Sequence, residues 1–161
     1  MKSNVIGMDI AKLVDAEIAA LERRLGSALR ANEQCRQIAT IPGIGLLTAT
    51  AVVATIGDAS TFRSGREFAA WLGVVPRQTG TGGRVRQLGL SKRGDTYLRT
   101  LLMHAARAII ARSTRSPWVT GLLQRRHYNV AVAALANKLA RTIWAVLAHD
   151  RPYDPAAFSA A

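Results

Sequence analysis

A hydroxyl flanked by arginines is the one grouping in this 161-residue chain with the makings of covalent chemistry. It lies in Gln78-Thr-Gly-Thr-Gly-Gly-Arg-Val-Arg86, where Thr79 and Thr81 alternate with glycine and Arg77, Arg84, Arg86 and Arg99 are close in sequence. Moving a phosphodiester through a side-chain hydroxyl needs a Ser or Thr beside cations that neutralise the charge developing on phosphate. Gly80, Gly82 and Gly83 let backbone amides close on an anion; the alternative is a glycine-rich surface turn with incidental charge. A two-metal route needs several carboxylates around the ions, and Asp9 is the only acid on a candidate strand. His104, His127 and His149 are scattered without metal-ligand spacing and read as core-edge or surface residues. No metal site and no cofactor are expected on this chain. Cys35 stands alone, which excludes a disulfide framework and fits a small buried apolar residue. Neither a Walker A sequence nor a G-x-G-x-x-G after a strand is present, so nucleotide hydrolysis has no support.

The charge says what such a loop would meet. The chain carries +12 with a pI near 11.4. Residues 1–60 balance six basic against six acidic side chains, whereas residues 61–130 hold thirteen basic residues against Glu67 and Asp95. A solubility surface intersperses both signs; a surplus gathered into one stretch, mostly as arginine, marks a polyanion partner. Nucleic acid is the expected partner, with an acidic protein or a solvated face as alternatives. The basic residues do not line one face of a single amphipathic helix, no apolar run looks long enough to cross a bilayer, and the start lacks a signal peptide. A soluble cytosolic protein that does not bind membrane is expected.

The positioning elements read as mainly α. Val5–Ile10 resembles a short apolar strand. From there Leu13, Val14, Ile18, Leu21, Leu25 and Leu29 recur at helical spacing up to Ala31, as either a core face or a coiled-coil seam. Ile41-Pro-Gly-Ile-Gly45 stops that helix, and Thr48 to Ile56 begins another. The turn is either a structural αα-hairpin or a helix–hairpin–helix, in which Gly43 and Gly45 bring backbone amides to a phosphate. Ser64 and Glu67 form a capping box; Val74-Val-Pro76 is extended. Asp95 N-caps a helix to about Arg112, Ser116-Pro117 opens the next, and an apolar helix from Asn129 reads as central. The last residues read as a tail.

The run Ile41-Pro-Gly-Ile-Gly45 to Phe62, Trp71-Leu-Gly-Val-Val-Pro-Arg77, the Thr-Gly-Gly loop and Leu90-Ser-Lys-Arg-Gly-Asp-Thr-Tyr-Leu-Arg99 together resemble the transposase domain of the bacterial IS110/IS116/IS902 insertion-sequence family, which includes bridge-RNA-guided recombinases. The resemblance covers roughly residues 36–153. It implies a DNA-binding transposase acting by strand exchange with DNA, a guide RNA and other copies of the chain. It also implies an acidic RNase H-like domain using Mg2+ in full-length members, and a nucleophilic serine in the glycine loop. Val5 to Lys12 resembles the start of that acidic domain, so Asp9 matches its first acid and the rest of the domain is missing. The expected organisation is a remnant at 1–12, a linker helix at 13–39, the transposase domain at 40–150 and a tail at 151–161. The family serine falls on Gly80, leaving no nucleophile, or on Thr81, leaving a secondary hydroxyl. Thr81 and Asp9 are the catalytic candidates; Gly43, Gly45, Arg77, Gly82, Gly83, Arg84, Arg86, Lys92, Arg93 and Arg99 are the nucleic-acid-binding candidates. Two alternatives stand beside a working transposase: an interaction protein whose long helix pairs with intact relatives, and a non-functional remnant.

Overall fold

Helix formers dominate the first thirty residues, and the chain takes them up as one helix. In a computed structural model, which describes residues 3–81, 84–112 and 116–160, α1 runs Ser3–Ala31, roughly 44 Å at 1.5 Å per residue. The strand expected at Val5–Ile10 is therefore helical. A lone strand with nothing to pair with leaves its amides unsatisfied, whereas a helix bonds them within itself. Asn32 then breaks the axis and caps α2 (Glu33–Ala39), its side chain accepting from the Cys35 amide at 3.1 Å.

The remaining helices are α3 (Leu46–Ile56), α4 (Gly65–Trp71), α5 (Thr96–Ala111), α6 (Pro117–Arg125), α7 (Tyr128–Ala148) and α8 (Pro155–Ala160), with a 3-10 turn at Ala59–Thr61. Expected caps are in place. Ser64 accepts from the Glu67 amide at 3.2 Å, Asp95 from the Leu98 amide at 2.8 Å and Ser116 from the Val119 amide at 3.4 Å. The fold is mainly α, as expected. Arg151 to Asp154 leads not into a featureless tail but into α8, whose Phe158 is buried.

α7 is the axle of the body. α2, α4, α5 and α6 all pack on it, and Leu135, Leu139 and Ile143 are fully buried. Phe68 of α4, Leu72 at its C-terminal cap, and Leu98 and Leu102 of α5 complete the core with Ile38 and Ile41. At 21 residues, α7 is long and apolar enough to cross a membrane, contrary to the expectation that no run reaches that length. Its place at the centre of the core accounts for that composition.

The glycine-rich segment is not a loop. It forms an antiparallel ribbon of β1 (Pro76–Thr81) and β2 (Arg84–Leu90), the one sheet among the described residues. Gly82 and Gly83 lie outside the described residues.

Candidate nucleic-acid interface

The ribbon's register decides what it presents. Thr79 stands opposite Arg86, Thr81 opposite Arg84, and Gln78 opposite Gln87, with an irregularity between Pro76 and Gln78. Directly opposed residues share a face and successive residues alternate, so Thr79, Arg84 and Arg86 lie on one face while Gln78 and Gln87 occupy the other. Residues 76–80 and 86–89 are exposed, as is Arg84. No carboxylate is paired with Arg77, Arg84 or Arg86; among the described residues the one ion pair is Arg36 with Glu33. The ribbon is thus an exposed arm with free guanidinium groups. Thr81 is placed by its backbone opposite Arg84, and its side chain lies outside the described residues.

The arm's root is fastened to the body. The Ser91 amide donates to Val75 O at 2.8 Å and the Lys92 amide to Gly73 O at 3.2 Å. Gly94 presses against the end of α4: a Cβ there would lie 1.9 Å from Trp71 O, so only glycine fits. Lys92 adopts φ 54°, an uncommon left-handed conformation for a side-chain-bearing residue. Lys92 and Arg93 are exposed on this turn. Arg99 does something different. Its guanidinium donates to Leu72 O and Gly94 O, both at 3.4 Å, and to Thr96 Oγ at 3.1 Å. It braces the turn from beneath and is half-buried.

The helical hairpin is placed elsewhere. Ile41 and Ile44 are buried, and Gly43, at φ 83°, backs onto α5; a Cβ there would come within 2.9 Å of the Ile109 side chain. Packing against the core is thus reason enough for Gly43. Gly45 is exposed at the N-cap of α3, with no side chain capping it.

Asp9 is exposed on α1, and no three His, Cys, Asp or Glu side chains cluster to hold a metal ion among the described residues. A lone exposed carboxylate does not fit a Mg2+ centre, which needs several oxygen ligands in near-octahedral array. His127 accepts from the Asn129 amide at 3.3 Å and His149 packs edge-on against Trp144, so both serve structure. Burial pushes the Cys35 thiol up, away from nucleophilic use.

A further surface has no counterpart among the residues that the sequence singles out. Beside the arm, a groove of about 1410 Å3 runs along α7, between the base of the ribbon and the α6 and α8 side. Arg66, Arg141 and Arg151 lie along it, brought together from α4, α7 and the segment before α8. Only the central position of α7, not any local pattern, could have revealed it.

Comparison with known proteins bears on these features. Residues 35–121 match the family described as "Transposase IS116/IS110/IS902 family". The chain is 51% identical over 152 residues to a probable family 20 transposase of Pseudomonas aeruginosa, covering 91% of this chain and 45% of that protein. It is 42% identical over 144 residues to the transposase for insertion sequence element IS1111A of Coxiella burnetii, covering 86% of this chain and 40% of the relative. The transposase for IS1328 of Yersinia enterocolitica is 44% identical over 135 residues, 81% of this chain and 40% of its own length. The chain thus spans less than half the length of these relatives. A family match over more than half of these residues, including the ribbon and the turn at its root, means that the chain belongs to the IS116/IS110/IS902 transposase family.

Proposed function

We propose that this chain is the nucleic-acid-gripping part of a transposase that moves DNA by strand exchange, with the ribbon as its gripping arm. One observation carries the reading: an exposed β-ribbon bears Arg84 and Arg86 on one face and an exposed Arg77 on its first strand, with no carboxylate paired with any of the three. A two-stranded ribbon enters a DNA groove, and guanidinium forks match phosphate oxygens. Lys92 and Arg93 extend the positive surface at the root, while Arg99 supports them by holding the turn. Gly82 and Gly83 are candidates by their place in the sequence alone. Guide RNA offers the same phosphate chemistry as DNA and is a second expected partner. Thr81 is the candidate nucleophile, next to Arg84 in register; Asp9 is not supported by its surroundings. Such a protein works in the cytoplasm, at the nucleoid.

Duplex binding should weaken steeply as salt rises, because bound cations release counterions from DNA; affinity flat across that range would remove the proposal. Strand-transfer assays on a paired element end, comparing the chain with Thr81→Ala and Thr81→Ser, test the nucleophile. Loss with alanine and gain with serine are expected; equal activity in all three rejects Thr81.

A second reading, self-association through α1, rests on its own observation. Ile10, Leu13, Val14, Ile18 and Leu21 are all exposed large apolar residues on one helix. A stripe of this kind is normally covered, and a second α1 has the matching shape. Sedimentation showing a monomer at every concentration would reject it.

A further inference from the structure

The groove along α7 shares its positive charge with the arm and adds features that the arm lacks. It is cationic: Arg66, Arg141 and Arg151 are exposed on its walls, against one lining carboxylate, Asp154, whose Oδ1 already accepts the Ala156 amide at 2.8 Å. It is aromatic: Trp118, Trp144 and Tyr153 also line it, each half-buried. Those rings are held rather than loose. Trp144 Nε1 donates to Ala59 O at 3.2 Å and Phe62 O at 3.3 Å, and the Lys138 ammonium sits 4.1 Å from the centre of the Trp118 ring. Finally, at about 1410 Å3 it exceeds the roughly 300–1,000 Å3 that enclose a small ligand. Its floor on α7 is made of short side chains, Ala133 and Ala134 among them.

We propose that this groove holds an unpaired nucleic-acid strand, separately from the duplex gripped by the arm. Fixed rings give bases a surface to stack on, and the guanidinium groups follow the backbone, the combination that single strands require. A duplex offers its bases only at their edges and cannot use the rings. Three exposed cations against one carboxylate make a polyanion the complement of the walls, and the fixed rings beside them favour one whose bases can stack. The proposal goes beyond the arm reading and stands or falls by different residues.

The test compares three forms of the full chain: wild type, the groove variant Arg66→Gln/Arg141→Gln/Arg151→Gln, and the equal-charge control Arg107→Gln/Arg112→Gln/Arg126→Gln. All six arginines are exposed, so all forms should fold, which circular dichroism verifies. Binding of labelled oligo(dT), oligo(U) and a blunt duplex is followed by anisotropy. The groove variant should lose single-strand affinity about tenfold or more, and its log–log salt slope should shrink by roughly 2, at about 0.7 per phosphate contact. Its duplex affinity should stay close to that of the control. Preference between oligo(dT) and oligo(U) tells which strand chemistry the groove favours. In wild type, oligo(dT) should quench tryptophan fluorescence, since stacked bases contact Trp118 and Trp144. Equal single-strand affinity in groove variant and control overturns the proposal, as does a duplex loss as large as the single-strand loss or an unchanged tryptophan signal. A duplex defect on neutralising Arg77, Arg84 and Arg86 with no groove effect would sink the groove and leave the arm standing.

Discussion

Neutralising the arm, Arg77→Gln/Arg84→Gln/Arg86→Gln, should change the way duplex affinity responds to salt more than it changes the protein. All three side chains are exposed and unpaired with acids, so the fold loses nothing, and a surface change of this kind usually falls within about 0.5 kcal/mol. If each guanidinium meets one phosphate, removing three lowers the log–log salt slope by about 2.7. Between about 50 and 200 mM salt, that slope is worth roughly 40-fold in affinity. Wild type should therefore lose about 40-fold more affinity over that range than the variant does. Fluorescence anisotropy on a labelled duplex at four or more salt concentrations measures both slopes, with thermal melting to show that both proteins are folded. Parallel lines would mean that these arginines do not touch phosphate, and the arm would lose its assigned role. A vertical offset without a change of slope would refute that role equally, since it reports altered shape rather than lost charge.

Four other outcomes follow from the packing and charges. Gly94→Ala should destabilise by about 1–3 kcal/mol in urea unfolding, because its Cβ would collide with Trp71 O. Phe68→Ala, which empties a fully buried ring position, should cost about 3–5 kcal/mol in the same assay. Burial, with Arg141 second, holds the Lys138 ammonium below its ordinary pKa of 10.5, so the unfolded chain binds more proton between the two values. Stability from this group should then rise as pH climbs from the folded pKa toward 10.5, and that rise should vanish in Lys138→Met when the two urea curves are subtracted. Ile18→Glu/Leu21→Glu should leave unfolding unchanged, since both side chains are about half-exposed at 49% and 50%, yet it should abolish any concentration-dependent sedimentation of the wild type.

Much of this architecture is legible from local chemistry. Ser64, Asp95 and Ser116 mark their helix starts because a side-chain oxygen capping a free amide is a short-range event. The core stripe of α5, with Leu98, Leu102 and Ile109, follows from its period alone. Two kinds of feature depart from such a reading. The ribbon is of the readable kind: a Gly-Gly pair between two extended runs, Pro76 to Thr81 and Arg84 to Leu90, is a hairpin signal, yet the density of glycine and arginine reads first as a loop. At Val5–Ile10, apolar character favours a strand that has no partner to pair with, and the helix formers on its far side prevail. The second kind is not readable at all. The bond from Arg99 to Leu72 O joins residues 27 positions apart, and the groove arginines come from three separate segments; only tertiary packing brings them together.

The fastening of the ribbon has a mechanical corollary. With Ser91 and Lys92 riveted to Val75 and Gly73 and Gly94 wedged beneath Trp71, the projecting strands behave as a cantilever clamped at one end. A small tilt at the clamp becomes a large sweep at the tip, so damage to a side chain that braces the turn, Arg99 foremost, would misaim the charges farther out while leaving each of them chemically intact.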